Sequence, residues 1–255
     1  LIDMITGKVE FVTHCYATKL THFATALYLQ LSSLANAANT SNNNIKVTVF
    51  YNQEDLQTAH VLNLFEDDKR RKNLELVKQH LPVDQLGRRS IGRNMAAKNT
   101  DADIVWFADV DYWFGATVTN DLLSIEWNNN TTMVFPGKIQ ISKSHEVGDK
   151  TLKYYSSILT PDPLNRPPFT PHMQVRDYDE KIYYKAIGGV QIVRGDFARE
   201  HGYVPNSKWQ KPVKIPFGDF RDDIAYRSFC RSVGTILPVD LDGVFRIRHS
   251  ETSYQ

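Results

Sequence analysis

The chain opens on the apolar run Val9-Glu10-Phe11-Val12-Thr13-His14-Cys15, which predicts a strand. It then sets Leu20, Phe23, Ala24, Leu27, Leu31 and Leu34 at helical spacing on one face. The Asn- and Ser-rich stretch 36–44 predicts a surface turn. A second strand, Ile45 to Tyr51, ends in the polar loop Asn52 to Asp55, and a second helix is expected over Asp55 to Phe65. The mixed charges of Glu66 to Lys72 suit a solvated face or loop, and Leu74 to His80 is amphipathic until Pro82 closes it. Ser90 to Asn99 fits a helix with Ile91, Met95 and Ala96 inward, and the apolar run Ile104-Val105-Trp106-Phe107-Ala108 reads as a third strand. Strands alternating with helices over this half imply an α/β fold with a mostly parallel sheet and right-handed crossovers.

Beyond Asp121 the pattern shortens. Thr132 to Pro136 and Ile139 to Ile141 predict short strands, an aromatic region begins at Tyr154-Tyr155, and Pro161, Pro163, Pro167, Pro168 and Pro171 stiffen a loop. That loop suits a substrate-facing lid or an extended crossing segment. Ala186 to Arg194 returns to strand character around Gly188-Gly189, Asp219 to Cys230 predicts a helix, and Val244 to His249 alternates as a final strand. No linker divides the 255 residues, so one domain, 1–255, is expected, with halves at 1–120 and 121–255.

Composition narrows the function classes. No apolar stretch approaches the roughly 18 residues of a membrane helix. Thirty basic against 29 acidic residues, net +1, are too balanced to suggest a surface for tracking nucleic acid, though basic groups could still cluster locally. The two cysteines, Cys15 and Cys230, lack metal-ligand spacing and read as buried free thiols, which favours a reducing, cytoplasmic setting, and the soluble composition leaves open a peripheral one at a membrane. A start at Leu1 without an initiator Met fits a trimmed chain or one part of a longer multidomain enzyme, and a targeting signal removed with the rest would leave no trace here.

The chemistry gathers at Asp109-Val110-Asp111, which ends the third strand and runs into Tyr112-Trp113-Phe114-Gly115. Ligands in open α/β sheets collect beyond the carboxyl ends of strands, so two acids there read as a metal or nucleotide clamp. Asp101 and Asp103 precede the strand and suit a cap or solvated turn. Ordinary roles stand beside the chemical ones. Asp223 and Arg227 have the i,i+4 spacing of a surface ion pair, and His249 could be a plain strand histidine. Arg93 suits a structural pair as well as a phosphate or base contact, and His14 and His22 suit structural roles. Trp106, Trp113 and Phe114 suit core packing, with Trp113 also placed for a sugar contact. Phosphate-loop patterns are absent.

Taken in order, these elements resemble the nucleotide-sugar glycosyltransferases of the GT-A type, especially the family 2-like group. Thr13, His14 and Tyr16 stand where that family places base and ribose. Arg93-Asn94 followed by Ile104 to Asp111 looks like its Arg-Asn helix, apolar strand and D-x-D. Gly188 to Phe197, Gly202-Tyr203 and Asp222-Asp223 with Arg227 resemble its acceptor-side strand and acidic helix, also seen in β-galactosyl and N-acetylgalactosaminyl transferases, and Arg248-His249-Ser250 looks like its late metal-binding His. The resemblance implies a Rossmann-like GT-A domain with a smaller mixed acceptor-side part. It implies a nucleoside-diphosphate sugar donor, a UDP-sugar being the expected one, and a glycan or other hydroxyl acceptor.

The resemblance also assigns roles. Asp111 and His249 would ligate a divalent cation, with Asp109 as a further ligand, on ribose or on a metal-bound water. The imidazole favours Mn²⁺ over Mg²⁺. Asp223 would be the base, with Asp222 orienting the acceptor or the two exchanged, and transfer would invert the anomeric centre. The chain departs from the family at Tyr51 to Asp55, where an Asp-Asp-Gly-Ser type of ending is common, and in having Asp-Asp in place of Glu-Asp. It departs again at Lys214 to Asp219, where the β-galactosyltransferases carry an aromatic Gly-rich run. The competing readings are a sugar nucleotidyltransferase, against which the missing N-terminal Gly-rich phosphate loop counts, and a catalytically silent nucleotide- or carbohydrate-binding domain.

Overall fold

A seven-stranded sheet carries the molecule, in the order β10-β6-β9-β4-β1-β2-β3. It is seen in a computed structural model that describes residues 7–18, 22–41, 43–66, 73–158, 177–212 and 221–250. Strand β1 is Lys8–His14, β2 Asn44–Tyr51, β3 Leu74–His80, β4 Ile104–Ala108, β6 Thr131–Pro136, β9 Val190–Arg194 and β10 Thr235–Val239. The block β3-β2-β1-β4 is parallel, with Phe11 opposite Val47 on one side and Trp106 on the other. Strand β9 runs antiparallel to β4 and β6, and β10 parallel to β6. All five residues of β4 are buried, as expected of a central strand covered on both faces.

A second sheet, β5-β11-β7-β8, is built from Tyr112–Phe114, Val244–Arg246, Lys138–Ser142 and Tyr178–Ile182. Its pairing is mixed: β5 with β11 and β7 with β8 are antiparallel, β11 with β7 parallel. Helix α1 (His22–Ser41) packs on α2 (Leu56–Glu66), α5 (Val118–Leu123), α6 (His145–Ile158) and β5. Helix α4 (Arg89–Asn99) packs on α3 (Val83–Leu86), α7 (Gly195–His201), α8 (Asp222–Val233) and β1. The α/β expectation with a mostly parallel sheet therefore holds. Among the described residues no helix is long and apolar enough to cross a membrane.

Several local expectations are corrected. The turn predicted from Asn36 is helical through Ser41, because Ala37 and Ala38 are fully buried and Thr40 and Ser41 bond back to the carbonyls of Asn36 and Ala37. The amphipathic Leu74–His80 is an edge strand whose middle is half exposed, so its solvent-facing positions hid a β alternation. Tyr154-Tyr155 belongs to helix α6, where Tyr155 is buried. The last strand ends at Arg246, which leaves His249 on the segment after it, and the strand predicted from Ala186 starts only at Val190. Most of the mixed-charge stretch (67–72), the proline loop (161–171) and 214–219 lie outside the described residues. Cys15 and Cys230 are buried free thiols, each pushed by burial up to about 12.

Candidate functional site

Strand β4 delivers Asp109 to the carboxyl end of the parallel block, and helix α4 faces it with two arginines one helical turn apart. Arg89 Nη1 and Arg93 Nη2 both donate to Asp109 Oδ1, the latter at 3.1 Å. Burial alone would raise the Asp109 carboxyl, but Arg89, Arg93 and Arg246 outweigh it and hold it below the usual carboxylate range. Arg93 is fully enclosed. It donates to Tyr203 Oη at 2.9 Å and lies 5.3 Å from that ring's centre. Expected at the donor, Arg93 in this state presents no surface to a ligand and acts on Asp109. Asn94 likewise turns away, its Oδ1 accepting from Tyr203 N at 3.0 Å.

Gly189 closes the other side of Asp109. A Cβ on it would lie 2.9 Å from Asp109 Oδ2 and 2.6 Å from the Tyr112 ring, so any side chain would push the acid out of place. Trp106 Nε1 pins the same residue by donating to Gly189 O at 3.0 Å.

Asp111 is buried at 7% exposure, and Arg246 Nε donates to its Oδ2 at 2.8 Å. Its Oδ1 and the Nδ1 of His249 are both buried without a hydrogen-bond partner. Burial, with His22 and Arg246, keeps the His249 imidazole below its ordinary pKa against the pull of Asp111 and Asp149, so it is neutral at pH 7 and has a lone pair to give. A carboxylate oxygen and a neutral imidazole nitrogen, each lacking a partner, fit a divalent cation of the Mn²⁺ type. The three expected ligands are not drawn into one cluster: among the described residues no group of three His, Cys, Asp or Glu side chains could hold a metal ion. Asp109 gives its Oδ1 to Arg89 and Arg93.

The segment carrying His249 is tightly seated. Arg248 N donates to Ser142 Oγ at 2.7 Å, and Ser250 N to Asp149 Oδ1 at 2.9 Å. The Arg248 carbonyl passes so close to Gly148 that a Cβ there would lie 1.5 Å from it.

At the start of α8, Asp222 is 1% exposed, with Oδ2 accepting from Ser90 N at 3.0 Å and Oδ1 from Asp223 N at 2.9 Å. Its expected acceptor-orienting role is therefore redirected: both oxygens are spent on joining α8 to α4 and on setting Asp223. Asp223 is half-buried. Burial raises its carboxyl, Asp222 adds to the rise, and Arg89 and Arg93 oppose it. The expected Asp223–Arg227 pairing gives way to another contact, since Arg227 Nη1 donates to Ala186 O at 2.7 Å.

Thr13, His14 and Tyr16 lie at and just beyond the end of β1, all buried. The His14 ring stacks on Phe50 at 4.9 Å, and neither nitrogen has a hydrogen-bond partner. Burial, then Arg93 and Arg89, hold its pKa well below the ordinary value, with Asp109 opposing. A folded pKa below the unfolded value near 6.5 means that unfolding takes up a proton on acidification, so this contribution to stability is lost as pH falls below about 6.5. Urea midpoints measured from pH 7.5 to 5 should fall less steeply for His14→Gln than for the unaltered protein; parallel slopes would refute the buried neutral state.

The arginines Arg89 and Arg246 were not among the expected site residues. The i,i+4 relation of Arg89 to Arg93 was a usable signal, whereas Arg246 reaches Asp111 only through the pairing of β11 with β5. Trp106, Trp113 and Phe114 are all buried, and Trp113 stacks on Phe245 at 3.9 Å, which fits packing in place of a sugar contact.

No protein-family model and no curated protein matches the chain. Solved structures match its fold. S. aureus TarS 1-349 superimposes with a TM-score of 0.55 at 13% identity, over 94% of this chain and 60% of that one. The same protein in complex with UDP-GlcNAc gives 0.54 and 12%, over 96% and 60%. Mannosyltransferase PcManGT from Pyrobaculum calidifontis, in complex with GDP-Man and Mn²⁺, gives 0.54 and 10%, over 97% and 59%. The chain thus spans about 60% of the length of these structures. It has the GT-A fold, a mostly parallel central sheet with a smaller mixed one.

Proposed function

We propose that this chain transfers a sugar from a nucleoside-diphosphate donor to a hydroxyl acceptor such as a glycan, with inversion at the anomeric carbon. The observation that carries the reading is the pair of buried, partnerless groups, Asp111 Oδ1 and His249 Nδ1, beyond the carboxyl end of β4 in a GT-A fold. They would hold a divalent cation, Mn²⁺ ahead of Mg²⁺, which when bound supplies positive charge for the departing diphosphate. Asp109 would meet the ribose or a water on the cation. The end of β1, with Thr13, His14 and Tyr16, would receive the nucleoside, and Arg89 and Arg93 keep Asp109 ionised and in place.

Asp223 accepts the proton of the acceptor hydroxyl. Its raised carboxyl makes it a stronger base than an exposed aspartate. Asp222 holds it by the backbone. The attacking oxygen bonds to the anomeric carbon as the bond to the diphosphate oxygen breaks, and that oxygen leaves with the electron pair. A base facing the acceptor on the side away from the leaving group gives inversion. Support for the donor class comes from the fold neighbours solved with UDP-GlcNAc and with GDP-Man and Mn²⁺.

Calorimetry with UDP, GDP, dTDP and CMP, each with Mn²⁺ and with EDTA, tests the reading. One nucleoside diphosphate should bind more tightly with Mn²⁺. Asp111→Asn should remove about tenfold of that gain, since a neutral amide is a poor ligand for a hard cation. No binding by any nucleotide would overturn the proposal.

A further inference from the structure

Asp111 divides its two oxygens between different tasks. Oδ1 belongs to the partnerless pair described above, while Oδ2 accepts from Arg246 Nε at 2.8 Å. Only Nε of the guanidinium is used there. Among the described residues neither terminal nitrogen of Arg246 has a hydrogen-bond acceptor.

The group is fixed in three ways. Its guanidinium lies 5.5 Å from the centre of the Tyr112 ring, Arg246 pairs with Tyr112 in the β5–β11 ladder, and the next amide, Ile247 N, donates to Asp111 O at 2.9 Å. It is still reachable, with 34% of the side chain exposed. The contrast with Arg93 is informative: Arg93 is fully enclosed and spends both terminal nitrogens on Tyr203 and Asp109. Arg246 keeps an anchored planar cation, with donors to spare, at the mouth of the candidate donor site.

We propose that Arg246 is a direct ligand of the donor's diphosphate, giving it an anchor that does not depend on the divalent cation. The assignment rests on the donor-site reading. A guanidinium fixed through Nε offers its remaining N–H groups to phosphate oxygens in a matched fork, and a charge-assisted pair of that kind is among the stronger polar contacts. Asp111 then has two roles, one oxygen toward the metal and the other holding the arginine. Arg246 thereby separates diphosphate affinity from metal affinity in this site.

The experiment measures binding of UDP, GDP, uridine and guanosine in EDTA and in Mn²⁺, for the unaltered protein, Arg246→Met and Arg246→Lys. The unaltered protein should keep measurable diphosphate affinity in EDTA. Arg246→Met should lower it roughly ten- to a hundredfold, as expected for loss of charged hydrogen bonds, while nucleoside affinity stays within about twofold. Arg246→Lys keeps the charge without the fork and should fall in between. If Arg246→Met does not fold, the Lys variant decides alone, by a selective loss for diphosphates over nucleosides. Diphosphate binding unchanged in both variants, or lost equally for nucleosides, overturns the role of Arg246. Failure of the unaltered protein to bind either diphosphate, even with Mn²⁺, instead overturns the donor site itself.

Discussion

Asp223→Asn is expected to slow sugar transfer by roughly 10²- to 10⁴-fold, the usual weight of a general base, while leaving nucleotide affinity unchanged. The change is nearly isosteric, and the carbonyl of Asp223 can still accept from Gln191 Nε2 at 3.0 Å, so the start of α8 keeps its shape. What disappears is, among the described residues, the one carboxylate at the head of this helix that is not already consumed, since Asp222 gives both of its oxygens to backbone amides. The pH profile supplies a second reading. Asp223 acts ionised, and because burial raises its pKa, the acid limb of the rate should lie above the range of an exposed aspartate. Asp222→Asn, which keeps one acceptor oxygen for Ser90 N or for Asp223 N, should lose less rate than Asp223→Asn. Transfer retained by Asp223→Asn would remove it from the mechanism.

Arg93→Met is expected to destabilise the fold by about 3–5 kcal/mol, the cost of removing one member of a buried ion pair. Its guanidinium is fully enclosed and serves Asp109 and Tyr203 at once. Removing it leaves Asp109 with Arg89 as its hydrogen-bonded cation and Tyr203 Oη with Gln191 Oε1, to which it donates at 2.8 Å. A loss of that size is a large share of the roughly 5–15 kcal/mol that holds a domain together. It would appear as a lowered urea midpoint without nucleotide. Arg89→Met removes a partly exposed member, with its side chain 15% accessible, and should cost less. Equal and small losses in both variants would mean that Asp109 finds compensation elsewhere.

Much of this was legible in the chain. The run Ile104 to Ala108 ending in Asp109-Val110-Asp111 placed a buried strand and its acids correctly, because a strand covered on both faces must be continuously apolar. Asp222 and Asp223 fell at a helix start as read. Less visible was what each group would touch. Asp111 meets Arg246 only because β11 inserts between β5 and β7, a pairing that no local pattern encodes. A short strand such as Tyr112–Phe114 has too few residues to show a period, and the half-exposed Leu74–His80 shows a blurred one. Asn36 to Ser41 misled for a different reason: residues favoured in turns were held helical by tertiary burial of the alanines among them.

The seat of the Arg246–Ser250 segment has a consequence for how the protein is made. Arg246 and Asp111 lie 135 residues apart in the chain, and Asp222 and Ser90 132. During vectorial synthesis the parallel strands and the D-x-D emerge first; Asp109 already has Arg89 and Arg93 behind it, whereas Asp111 waits for Arg246, encoded near the other end. Contacts of such separation close long loops and form late. Nucleotide capture should therefore be the last property a refolding chain regains, after helical signal and core fluorescence. Bound nucleotide would report that the final strand has docked.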